Sequence, residues 1–138
     1  MRRLCWPFRR EYQHQRPIRQ PGRPQHRRNV RHLCQRINTS NYTSAYALLS
    51  PHAQTLSSFD AFSQGEASSY IVTLSVSAVT HTGTQDSAEV AFTSVQDPAA
   101  GGTGQTCINW SMTYTLIPDG TSWLIDTASP HPGSPAPC

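Results

Sequence analysis

Four cysteines, six histidines and eight carboxylates are the side chains here that could hold a metal, move a proton or attack a substrate. A built zinc site draws its ligands from short spacings, such as Cys-x-x-Cys or two histidines one helical turn apart. His52, His81 and His131 each stand alone, with no second histidine or acid three or four residues on, and no Cys-x-x-Cys occurs. The sequence therefore predicts no metal site and no cofactor. Gly101-Gly102-Thr103-Gly104 lacks the Lys-Ser/Thr that a phosphate-binding loop needs and reads as a flexible connection. Cys5 and Cys34 lie in or beside an Arg-rich first segment, and Cys107 and Cys138 bracket the last part of the chain. Their spacing alone leaves the pairing open.

The arginines suggest a different chemistry. A net charge of +3 conceals two unlike segments: all eleven basic residues are Arg, none lies beyond Arg36, and Glu11 is the one acid among them. From Ile37 onward seven acids stand without a single Lys or Arg. Guanidinium groups bind phosphate bidentately, so the first segment has the composition of a salt-dependent nucleic-acid binder or a tract lying on anionic lipid. Trp6, Phe8 and Tyr12 could stack on bases. The acidic remainder predicts no basic face to support such a tail. The expectation is thus no specific nucleic acid, and membrane contact only through the basic tail or through an anchor preceding the domain.

Residues 1–30 combine high charge with Pro7, Pro17, Pro21 and Pro24 and only scattered apolar side chains, which predicts disorder. No apolar run of export-signal length follows Met1, and no stretch is apolar for long enough to span a membrane. Residues 31–138 are the part that can bury a core, with a Pro-rich tail from Ser129.

The elements that must position any site follow from periodicity. Leu33, Ile37, Tyr42, Tyr46 and Leu49 recur near a 3.6-residue period and predict one helix from about Val30 to Leu49, weakened by Asn, Thr and Ser over 38–41. Ser50-Pro51 predicts a cap and the start of a second helix, and Ser57 or Ser58 a third, carrying Phe59 and Phe62. The period then becomes two. Tyr70, Val72, Leu74 and Val76 share one strand face, and Val90 and Phe92 another. Ile108, Trp110, Met112, Tyr114 and Leu116 form a third, and Ser122 to Asp126 a fourth strand beyond the Pro118-Asp119-Gly120 turn. The fold class is α+β: N-terminal helices packed on a curved, four-stranded antiparallel sheet.

The run from Ile37 to Pro51, with Asn109-Trp110, Tyr114-Thr115-Leu116, Asp119-Gly120 and Trp123-Leu124-Ile125-Asp126, resembles actinobacterial extracytoplasmic domains of the nuclear transport factor two superfamily. The resemblance spans about Val30 to Ala128 and implies a cone-shaped barrel. It implies a disulfide between Cys107 and Cys138, and a pocket facing Tyr46, Phe62, Tyr70, Trp110, Met112 and Tyr114. It also implies an extracytoplasmic, non-catalytic binding or structural module, whose partner is a small apolar ligand or a protein. That superfamily includes isomerases and cyclases with a carboxylate base. The nearby acids, Asp60 and Asp126, read as solvated or outward-facing, so catalysis is the weaker expectation. The first 30 residues depart from the group and read as a mis-called or frame-shifted start. A weakly charged Ser/Thr face leaves a homo-oligomer open.

Overall fold

The computed structural model describes residues 23–99 and 104–138. The expectations of disorder over residues 1–22, of base stacking by Trp6, Phe8 and Tyr12, of a role for Cys5, and of a flexible link over 101–103 lie outside the described residues.

The first helix, α1 (Arg23–Asn38), starts seven residues before the expected Val30. His26, Val30, Leu33, Cys34 and Ile37 fall on one buried face, the spacing of a 3.6-residue period. This extension places Arg27, Arg28, Arg31 and Arg36 on α1. One long helix to Leu49 is also corrected. Ser40 takes a positive φ of 59°, and Asn41 caps a separate α2 (Tyr42–Tyr46) by accepting from the Ser44 N–H. The polar residues 38–41 offer the backbone local partners and end the helix there.

The caps follow sequence logic closely. Ser50 accepts from Ala53 N–H at the start of α3 (Pro51–Leu56), and Ser58 accepts from Ala61 N–H at the start of α4 (Phe59–Glu66). Five antiparallel strands follow: β1 (Tyr70–Thr82), β2 (Gln85–Val95), β3 (Cys107–Asp119), β4 (Ser122–Pro130) and β5 (Ala136–Pro137). The order is β1-β2-β3-β4, with β5 also paired to β3. β4 covers Met112–Asp119 of the β3 edge and β5 covers Ile108 and Asn109, so the two act as one interrupted edge strand. The sheet is open, and the expected closed cone is corrected.

Two features of register matter for the site. Between Ile71 and Thr73, and again between Val76 and Val79, the β1–β2 ladder shifts. An extra residue reverses the alternation, so the inward set is Ile71, Leu74, Val76 and Val79 rather than one continuous even-numbered series. The side chain of Asn38 holds the first bulge from above, donating to the Ile71 carbonyl at 2.9 Å and accepting from the Ile71 N–H at 2.7 Å. The second hairpin turn is Gly120-Thr121, with Asp119 still paired to Ser122; Pro118 and Asp119, expected in the turn, remain in strand.

The core lies between α1 and the inner sheet face. Val30, Leu33, Ile37 and Ala45 meet Val90, Met112, Tyr114, Leu116 and Ile125. The Cys107–Cys138 disulfide is formed, with Cα atoms 5.5 Å apart, and fastens the tail to the start of β3. No helix among the described residues is long and apolar enough to cross a membrane.

Candidate functional site

A cavity of about 580 Å³ opens between the helices and the sheet, within the range typical of small-molecule sites. α1 supplies Leu33, Cys34 and Ile37 to it, one turn apart on the face already turned inward. β3 supplies Ile108, Trp110, Met112 and Tyr114 by strict alternation, and β2 contributes Phe92 and Ser94 the same way. α4 closes one side with Phe62 and Glu66, residues i and i+4 on a single helix face.

Of the six pocket residues expected from the sequence, Phe62, Trp110, Met112 and Tyr114 line this cavity and Tyr46 and Tyr70 do not. Tyr46 serves the helices instead. Its hydroxyl donates to the carbonyls of Gln54 and Ser57 at 3.1 and 2.7 Å, and its ring packs on Phe59 and Phe62. Tyr70 precedes the first bulge, so its side chain falls off the inward series. Its hydroxyl is buried with no hydrogen-bond partner among the described residues.

The carboxyl at the cavity is Glu66, not the Asp60 or Asp126 weighed from sequence. Asp60 is exposed; Asp126 is turned to the Ser50 hydroxyl at 2.5 Å and to His52 at 3.3 Å. Burial raises the Glu66 pKa above the ordinary carboxylate range. Tyr114 is raised too, first by burial and then by the neighbouring Cys34 and Glu66. Cys34, Tyr114 and Glu66 all line this one cavity. The spacing Phe62 to Glu66 was the signal available in the sequence, obscured by the polar appearance of Ser63-Gln64-Gly65.

Some of the polar side chains of the cavity are hydrogen-bonded within it. Trp110 Nε1 donates to Ser94 Oγ at 3.0 Å, and its ring stacks on Phe92 with centroids 5.7 Å apart. Gln96 donates to the Gln105 carbonyl at 3.4 Å. The disulfide holds this rim, where Pro135 and Gln105 border the opening.

Three histidines expected to be isolated are each paired with an acid. His81 Nδ1 meets Asp86 Oδ1, His52 meets Asp126, and His131 Nε2 lies 2.7 Å from Glu89. Asp86 also takes the buried His26 Nε2 at 2.5 Å, and the His26 ring stands edge-on to Trp123. Apart from His81 and Asp86, which meet across the β1–β2 hairpin, these pairs join residues distant in sequence, which spacing could not reveal. No group of three or more His, Cys, Asp or Glu suited to a metal occurs among the described residues.

No protein-family model matches this chain, nor does any curated protein. Among solved structures the chain is similar to a SEC-C motif containing protein from Rhodopseudomonas palustris, with a TM-score of 0.60, 11% identity, and coverage of 73% of this chain and 74% of the other. At that identity the likeness concerns the fold alone. It overturns the assignment to the nuclear transport factor two superfamily. The residues behind that assignment are packing and turn residues, which any helix-covered meander requires. What stands is an α+β fold with four helices on the N-terminal side of an open five-stranded antiparallel sheet.

Proposed function

We propose that this chain is a non-catalytic, extracytoplasmic binding module that takes a small, largely apolar molecule into the cavity between α1, α4 and the sheet. The observation carrying this reading is the cavity itself: about 580 Å³, walled mainly by aliphatic and aromatic side chains and open at one rim. A space of this size inside a small domain is costly to leave unfilled by side chains, because packed interiors are otherwise close to crystal density. The Cys107–Cys138 bond supports an oxidising location, where disulfides persist.

The test uses Cys34, which lies in the cavity wall. In a Cys5→Ser background, a bound apolar molecule slows alkylation of Cys34 and raises the melting temperature. Met112→Trp, which fills the space, abolishes both effects. A panel of apolar compounds that leaves Cys34 reactivity and melting unchanged would sink the reading.

A second reading, proton transfer on a bound carbonyl compound, draws support from the raised pKa of Glu66, the direction a general base near neutrality requires. Hydrogen exchange from bound ligand into heavy water, lost in Glu66→Gln, would favour it over simple binding. A third, polyanion contact through the arginines of α1, draws support from His32, whose pKa is lowered by burial and then by Arg36, Arg28 and Arg31. It predicts affinity for phosphate-rich surfaces that falls steeply with salt; affinity indifferent to salt excludes it.

A further inference from the structure

Glu66 is the charged side chain of the cavity, and its surroundings determine what can sit beside it. No described residue gives its carboxyl a hydrogen bond or an ion pair. The other titratable side chains of the cavity lining are Tyr114 from β3 and Cys34 from α1, both of which become negative, never positive, on ionisation. The arginines of the described chain all lie on α1, and none of them lines the cavity. Ser94 accepts from Trp110 and Gln96 donates to the Gln105 carbonyl, and the neutral polar side chains of the lining bring no charge to the carboxyl. The cavity therefore offers one carboxylate without a counter-charge, inside walls that include the rings of Phe62, Phe92, Trp110 and Tyr114.

A cation answers both features. A carboxylate withdrawn from water is stabilised by a charge-assisted hydrogen bond, and aromatic faces attract an ammonium through their quadrupoles. We infer that the cavity ligand is an organic primary ammonium, its hydrocarbon part against Ile37, Met112 and the rings and its charged nitrogen on the Glu66 carboxylate. This rests on the cavity-binding reading above and narrows it to one class of ligand. On binding, the ammonium supplies the missing counter-charge and stabilises the ionised form of Glu66.

The experiment compares matched pairs that differ only at the polar atom: phenethylamine with phenethyl alcohol, tryptamine with tryptophol, and 1-adamantylamine with 1-adamantanol. Titration calorimetry at neutral pH, with the full chain, is expected to show at least one amine binding about tenfold or more tightly than its alcohol, the scale of one charge-assisted contact. Glu66→Gln brings the two members of that pair to within about twofold of each other. The same loss of preference appears in the unsubstituted protein as acid protonates Glu66, so the inference remains testable even if the variant misfolds. Equal binding of amine and alcohol overturns the ammonium and leaves the cavity reading intact. No binding by any member, with Cys34 unprotected throughout, overturns both. A preference that survives in Glu66→Gln and at low pH places the cation elsewhere and overturns the assignment to Glu66.

Discussion

Asp86 and Glu66 show how the same functional group acquires opposite fates from its neighbours. Asp86, 1% exposed, lies between two imidazoles, His26 from α1 and His81 from β1, so both its oxygens are satisfied. Truncation in Asp86→Ala strips the buried His26 of its hydrogen bond, an expected loss of about 1–3 kcal/mol. His81→Ala, at a side chain 63% exposed, is expected to cost under about 1 kcal/mol. Urea unfolding of the two variants checks the order, and equal losses would refute a buried pair sustained from within. Glu66 has no such partners. Its raised pKa means that the folded chain holds a proton which the unfolded chain has released, over the interval between the ordinary glutamate value and the higher folded one. Stability contributed by the protonated form is full below that interval and declines as pH rises through it. The stability of Glu66→Gln relative to the parent should thus increase with pH, read from melting curves taken from acid to neutral. A difference that does not vary with pH would contradict the burial of this carboxyl.

At the scale of elements, the joints hold more of the specificity than the regular parts. Ser50 caps α3, donates its hydroxyl hydrogen to Asp126, and donates its backbone N–H to the Ile125 carbonyl. Ile125 in turn donates to the Leu48 carbonyl, so the start of α3 is stitched to β4. Ser50→Ala retains the stitch and loses cap and carboxylate contact, an expected cost of about 1–2 kcal/mol measurable by chemical denaturation. Asn38 works similarly at the first bulge of β1. The caps were legible in the sequence because a Ser before Pro51, or before Phe59, acts through atoms within three residues of itself. The bulges were not. A bulge is decided by which residues of β2 the strand must meet, and β1 alone carries no mark of it. That is why Tyr70 was expected in the cavity while Ile71 occupies the inward position. The early start of α1 was hidden for a related reason. Arginines and prolines over 16–24 dominate the composition, and His26 becomes a core residue only because Asp86 and Trp123 receive it.

For the whole molecule, the disulfide and the open sheet govern the cavity together. Cys107–Cys138 closes a loop spanning 31 residues, and its reduction is expected to lower stability by about 3–4 kcal/mol on chain-entropy grounds. It also ties β5 to the cavity rim, so any ligand effect on Cys34 alkylation should weaken on reduction. Denaturation with and without reductant, and alkylation rates under both conditions, test this. Unchanged stability would imply that the tail contributes nothing to the fold.

By itself the sequence determined the quantities that depend on near neighbours. These were the α+β class, the two helix caps that Ser50 and Ser58 supply, the alternating apolar face of β3, and the sharp division of charge at Arg36. Tertiary structure alone decided which strand positions face inward past a bulge and whether the sheet closes. It also decided which acid each histidine meets, and that Glu66 rather than Asp60 borders the cavity. Local propensity acts over a few residues, whereas burial, pairing and desolvation depend on chain segments 60 or more positions apart, as His26 and Asp86 are. No reading of one segment contains the other's position.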